Sequence, residues 1–207
     1  MKAIRHDPLP LSEELRTRRA TVLDALRDFG AMAAIVLLCV GAAVLYGVCH
    51  DQVTARVCIE YFSVYHSTDV LPPSMDPRSP TQQGFFWGVF ATWWMGLFIG
   101  VPLSIIARVG TAKPLAARDL LRPVGVLMAT MATFALVAGL LGYFLSPDGS
   151  ATVHSFPSIA REIPPFRLRG FMADYFAHNA SYLVGAAGGF VLIIHTAFVR
   201  WRKPRQK

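Results

Sequence analysis

Four stretches of roughly twenty residues contain no Asp, Glu, Lys or Arg, and they restrict what this chain can fold into more than any other feature. They run from Phe29 to Cys49, from Phe85 to Ala107, from about Pro123 to Leu145 and from about Ala177 to Val199. A hydrocarbon layer about 30 Å thick is crossed by about 20 helical residues. Backbone groups inside it must pair within the segment, which an open strand cannot do. The expected fold is therefore an all-α membrane protein, a four-helix transmembrane bundle with two loops outside the cytoplasm. Residues 1–28 would form a basic arm with an amphipathic helix, residues 29–200 the membrane domain and residues 201–207 a basic tail. With 54% of residues hydrophobic and only 16% charged, a water-soluble core is excluded, and three cysteines are too few for a disulfide framework.

The basic residues are divided unequally between the two sides. Fifteen of the twenty fall in the N-terminal arm, in the link 108–122 and in the tail; the others are Arg56, Arg78, Arg161, Arg167 and Arg169. The excess of Lys and Arg marks the cytoplasmic side, so both termini are expected there, with the chain in a bacterial inner membrane. These charges flank spans, so their expected partners are the lipid bilayer and its anionic headgroups at the cytoplasmic face, not nucleic acid. The first apolar run lacks a small-residue cleavage pattern and reads as a retained anchor. In the arm, Ser12 is a candidate cap, and Leu15, Val22, Leu26 and Phe29 recur at helical spacing, the pattern of an interfacial helix.

Both outer segments are broken by proline. The first, about 35 residues, contains the β-branched and aromatic stretch from Arg56 to His66, expected to be extended, followed by Pro72, Pro73, Pro77 and Pro80. The second, from Ser146 to about Phe176, should hold short helices between Pro147, Pro157 and Pro164-Pro165, then a helix lying at the interface before span four. Small residues four apart, at Gly84/Gly88, Gly96/Gly100 and Gly185/Gly189, let helix backbones approach closely. Packing within one chain is the simplest use for them; a homo-oligomer or a membrane-protein partner is the other.

The stretch Tyr46-Gly47-Val48-Cys49-His50-Asp51-Gln52-Val53-Thr54-Ala55-Arg56-Val57-Cys58-Ile59-Glu60-Tyr61-Phe62-Ser63-Val64-Tyr65-His66 resembles the YGxxHDQVTARVCxEYFxxxH signature of uncharacterised bacterial multi-pass inner-membrane proteins. The likeness extends loosely to the aromatic start of span two and to Ala117-Arg118-Asp119-Leu120-Leu121-Arg122-Pro123. Ser67 stands where that pattern has proline. The resemblance implies bacterial origin and membrane location, and it brings no reaction or cofactor with it.

Titratable residues gather on the outer side without being needed to span. His50, Asp51, Arg56, Glu60, His66 and His178 are the ligand-binding candidates, because imidazole and carboxylate together can hold a transition metal or relay a proton. Within that set, His50, Glu60 and His66 are candidate metal ligands, although the chain has neither HExxH nor CxxC. Cys49 and Cys58 share the oxidising side and can pair in a disulfide. Two outer cysteines are too few for a four-helix thiol oxidant, and spans two and three lack the histidine that a bis-histidine haem would need. Asp174, His178 and Ser181 or Tyr182 share a helix face, which suits a hydrogen-bond cluster better than a nucleophile array. The outer members of the aromatic cluster, Phe85, Phe86 and Trp87, read as an interfacial belt, with Trp93-Trp94 further in. Without a recognised catalytic spacing, the first functional expectation is a non-enzymatic scaffold or accessory protein. The alternative is a ligand- or metal-binding protein or enzyme with its site at the outer end of the bundle, and a small transporter ranks last because no mid-span charge is present.

Overall fold

The computed structural model describes residues 11–66 and 68–202, with side chains from Arg18 onward, Thr68 excepted. Lys2, Arg5 and the tail beyond Arg202 lie outside the described residues, as do the side chains of Ser12 and Arg16. The described chain is helical, with no strand among the described residues. Its long elements are α1 (Leu11–Val57), α2 (Pro80–Phe90), α3 (Trp93–Arg108), α4 (Ala117–Leu145) and α7 (Leu168–Trp201), with the short helices α5 (Ser150–Ser155) and α6 (Pro157–Glu162) between the last two. Four segments are long and apolar enough to cross a membrane: Arg18–Val57, Pro80–Arg108, Ala117–Leu145 and Pro165–Trp201. The chain is thus a four-helix membrane bundle. Its two ends are the terminal end, which carries Arg108, Ala117 and Arg200, and the site end, which carries Val57, Pro80 and Leu168.

No proline interrupts residues 11–57, so the described part of the arm, from Leu11, and span one form one continuous helix that passes Cys49 by two further turns. This corrects the expectation of an extended segment from Arg56 to His66. That stretch is instead the end of α1 followed by a π-helical turn, Tyr61–Tyr65. The β-branched residues have no partner strand there, whereas helical continuation pairs the backbone locally. It also buries Ala55, Cys58, Tyr61 and Phe62 on one side. The separate interfacial helix expected before span four is likewise absorbed into α7, whose first turns bury Leu168, Phe171 and Met172.

Span two is two helices in series. Ser79 caps the first, its hydroxyl accepting from the Gln82 amide at 3.4 Å, with Pro80 in the first turn. The ladder breaks at Ala91-Thr92, where the Thr92 hydroxyl donates to the Gly88 carbonyl at 2.5 Å. The Ala91 carbonyl is met by the Tyr182 hydroxyl of α7 at 3.2 Å. At the start of α4, the Asp119 carboxylate accepts from the Ala116 amide at 2.8 Å.

The helices pack as two pairs, α1 against α2 and α3, and α4 against α7, joined through α3 with α7 and α1 with α4. Glycine permits the first pairing. A Cβ on Gly88 would lie 2.5 Å from Val48 Cα, and one on Gly96 would lie 2.5 Å from Val40 Cα. Both small-residue pairs of span two therefore serve contacts inside the chain. One apolar cluster fills the terminal half around Ile35, Leu103, Leu120 and Leu192. A second fills the site end around Cys58, Phe62, Trp87 and Phe171. At the terminal end the buried Arg200 donates to the carbonyls of Ile106, Val109 (2.9 Å), Ala112 (2.8 Å) and Lys113 (3.1 Å), closing acceptors that the end of α3 leaves open.

The close backbone approach predicts that Gly88→Leu forces α1 from α2. Its unfolding free energy in mixed micelles should fall by about 1–3 kcal/mol, the range for overpacking. Gly30→Leu, where an added Cβ meets nothing within 4 Å, should be nearly neutral. Equal effects of the two substitutions would refute this packing.

Candidate functional site

Near its far end, α1 presents His50 and Asp51 toward α7, which carries Asp174, His178 and Ser181 at helical spacing on the facing side. The two helices bring one ring nitrogen of His50, one carboxylate oxygen of Asp51 and one ring nitrogen of His178 within 4.8 Å of one another. Asp51 is 5% exposed and His178 8%. His178 Nε2 lies 3.2 Å from Asp51 Oδ1, and the His50 ring meets the His178 ring edge-on at 4.7 Å between centroids.

The orientation of His178 follows from its second nitrogen. Nδ1 lies 2.8 Å from the Asp174 backbone carbonyl, which can only accept, so Nδ1 carries the hydrogen. Nε2 then presents either a lone pair or a second hydrogen to Asp51. Two bare acceptors 3.2 Å apart repel, so a proton or a cation between them is what makes the contact favourable. The buried Nε2 of His50 has no hydrogen-bond partner, which leaves a further lone pair or donor in the same cluster.

Aromatic side chains fix the surroundings. Tyr61 stacks on His178 at 4.4 Å, and Phe62 meets it edge-on at 5.6 Å. His66 is held between the faces of Trp87, at 4.8 Å, and the edge of Tyr61, at 5.1 Å. Trp87 is held in turn, because its indole donates to Gln83 Oε1 at 3.0 Å, and the wholly buried Gln83 amide donates to the Asp76 carbonyl at 3.3 Å. Tyr46 stacks on His50 at 5.6 Å. Its hydroxyl is 2.7 Å from Ser181 Oγ, and since Ser181 donates its single hydrogen to the Ala177 carbonyl, Tyr46 is the donor. A cavity of about 140 Å³ runs from His50, Asp51, His66 and His178 down to apolar residues such as Ile99, Leu127 and Met131, bridging the two apolar clusters.

Of the six candidates, His50, Asp51, His66 and His178 line this cavity, and Arg56 and Glu60 do not. Arg56 donates to Gln52 and, at 2.9 Å, to the Thr81 hydroxyl, tying α1 to the start of α2. Glu60 pairs loosely with Arg167 at 3.9 Å and accepts from Cys58 Sγ at 3.4 Å. The combination His50, Glu60 and His66 is therefore not the one that converges; Asp51 and His178 replace Glu60 and His66 beside His50. Cys49 and Cys58 are both free thiols. The possible disulfide is not formed in this structure: nine positions of helical rise separate the two by roughly 13 Å, beyond the reach of a bridge. Asp174 does not orient His178 through its carboxylate, so the three residues of that helix face are no triad. Trp87, expected in an interfacial belt, is buried beside His66, while Phe85, Trp93 and Trp94 do face outward. Tyr61, Phe62 and Gln83 were not anticipated around the site; continuing α1 at helical spacing past Val57 is the signal that would have turned Tyr61 and Phe62 inward.

Outside the spans, burial pushes the Cys58 thiol up, with the Asp174 and Glu60 carboxylates adding to it, and pushes the Tyr61 phenol up too. Burial, and then the nearby His178, hold His66 down at about 4. Below about pH 6.5 the unfolded chain takes up a proton at this residue that the folded chain refuses until about pH 4. His66 therefore removes stability as pH falls through that window. Thermal midpoints of the detergent-solubilised protein should drop from pH 7 to pH 5, and His66→Phe should flatten the drop. An unchanged slope in the variant would show that His66 does not titrate this way.

No protein-family model matches the chain, and no curated protein or solved structure matches it significantly.

Proposed function

We propose that this is a bacterial inner-membrane protein that binds one transition-metal ion between His50, Asp51 and His178, at the periplasmic end of its bundle. The observation that carries the reading is the convergence of two imidazoles and a carboxylate from two different helices in a buried, concave place. Two nitrogens and one oxygen suit zinc or its borderline neighbours cobalt, nickel and copper. Ligands at 2.0–2.1 Å around a tetrahedral ion stand roughly 3.3 Å apart, close to the 3.2 Å between His178 Nε2 and Asp51 Oδ1. The Nδ1 hydrogen bond of His178 to a backbone carbonyl is the usual second interaction of a metal-bound histidine, fixing its tautomer. A pure scaffold, the first expectation, gives no reason to bury an unpartnered His50 nitrogen beside an imidazole–carboxylate contact.

Three protein ligands leave a fourth position facing the cavity, the arrangement of sites that bind or activate a further ligand. Cobalt titration of the purified protein in nanodiscs should give one equivalent of a tetrahedral visible band. Asp51→Asn and His178→Gln should each weaken it at least about tenfold, the lower bound for losing even an outer-shell contact. His66→Phe should leave it near wild type. Saturation absent in the wild type would reduce the trio to a proton-sharing pair and remove this function.

The side assignment rests on the charge division: link 108–122 and both ends inside, His66 and the short helices outside. The basic ends then meet anionic headgroups of the cytoplasmic leaflet. Reporter fusions after residue 112 should read cytoplasmic and those after residue 70 periplasmic; the reverse would invert the site's compartment.

A further inference from the structure

A second, larger cavity of about 540 Å³ lies between α1 and α4, on the other side of the Tyr46–His50 pair from the metal candidates. Its rim is apolar and faces outward, with Val53 63% and Leu136 64% exposed. On α1 it spans Tyr46 to Val57 and on α4 it spans Ala132 to Tyr143, twelve residues and so eleven steps of helical rise in each case. That is about 16 Å of helix, close to half of a hydrocarbon core of about 30 Å. The cavity is therefore one leaflet deep and opens sideways to lipid.

Its inner wall is not inert. Asp174 lines it, is 1% exposed, and its Oδ2 has no hydrogen-bond partner. An oxygen so placed asks for a donor that the protein does not supply. Tyr46 and His50, stacked on one another, add aromatic ring atoms to the same wall. No Lys or Arg is among the lining residues, so at the wall itself a phosphate-headed lipid would meet a carboxyl.

We propose that this cavity binds an isoprenoid quinol, its hydroxylated ring lying against Tyr46 and His50 and donating to Asp174 Oδ2, its chain running out between α1 and α4 into the leaflet. The head is uncharged, as the carboxyl-lined and cation-free wall requires. It is a ring, which the aromatic side chains of the wall suit, and it bears a hydroxyl, which the orphaned oxygen suits. A second copy of this chain seated in the opening would cover the apolar rim but would bring no donor to Asp174 at the back. The site is separate from the metal trio and shares only His50 with it.

The test is titration of the protein in lipid nanodiscs with decyl-benzoquinol under nitrogen, followed calorimetrically, with dioctanoylglycerol as the competing hydroxyl lipid. Wild type should saturate at one equivalent. Ala132→Phe, which fills the cavity from its exposed rim, should weaken binding at least tenfold, and Asp174→Asn at least threefold, while both variants still saturate with one equivalent of cobalt. Quinol binding without cobalt binding in the wild type would uphold this site and sink only the metal reading. Non-saturating uptake, equal binding by Ala132→Phe, or equal affinity for dioctanoylglycerol would each overturn the quinol site. So would a dimer that Ala132→Phe dissociates while quinol uptake is unchanged, since the opening would then be an interface between copies.

Discussion

A carbonyl left open in hydrocarbon is costly, and much of this structure is arranged so that each helix interruption near the membrane is closed by a side chain from another helix. Tyr182 closes Ala91 where span two breaks. Arg167 donates to Val57 at 3.1 Å, where α1 ends. Arg169 donates to the Tyr143 carbonyl at 2.7 Å while its guanidinium lies 3.7 Å above the Tyr143 ring. Arg200 does the same for the end of α3 and the following link. All four donors belong to α7 or its lead-in, so span four is the element that lets the other three stop, bend or turn. Arginine suits the work because its fork reaches several acceptors at once and stays charged.

That dependence places the site. The break in span two is fixed by Tyr182, one turn beyond His178, and the end of α1 is fixed by Arg167, about three turns before it. With both neighbours anchored to α7, His50 and Asp51 have no freedom to slide past His178. The glycine contacts then press α1 onto α2, setting Trp87, and through it His66, against the same cavity. A buried imidazole–carboxylate contact is weak evidence of stabilisation, because desolvating both groups offsets much of their attraction. Apolar residues would pack in that place as well, so the contact supports the proposed metal reading and not a stability argument.

The membrane class and the four spans were legible in the residues, because a run without charge must be solvated by lipid whatever its neighbours. The signature segment was misjudged for a matching reason. Val57, Ile59, Val64 and the aromatics around them have strand propensity, but propensity describes a fit to a pleated, half-buried surface, and no such surface exists here. Once α1 runs on to Val57, helical spacing carries Tyr61 and Phe62 inward and separates Cys49 from Cys58. The site was half legible: His50 with Asp51 and the Asp174–His178–Ser181 face were visible as local groupings. Their meeting depends on which helices neighbour each other, and no spacing within either segment encodes that. Glu60 and Arg56 drew attention by charge alone, and charge alone is equally consistent with the capping and tethering they perform.

Tyr46 and His50 line both cavities, one ending in imidazoles and a carboxylate, the other opening between α1 and α4 and ending in an unpaired carboxyl oxygen. A shared wall couples its two sides mechanically. The His50 ring cannot turn toward a cation beside Asp51 without changing the surface it shows to the other cavity, since the same ring is stacked on Tyr46. Tyr46 cannot yield independently either, because its hydroxyl is held by Ser181 on α7. An occupant on either side would therefore bias the rotamer that the other side requires, and by reciprocity the two affinities would shift together. The arrangement needs no moving helix, only one ring with two neighbours.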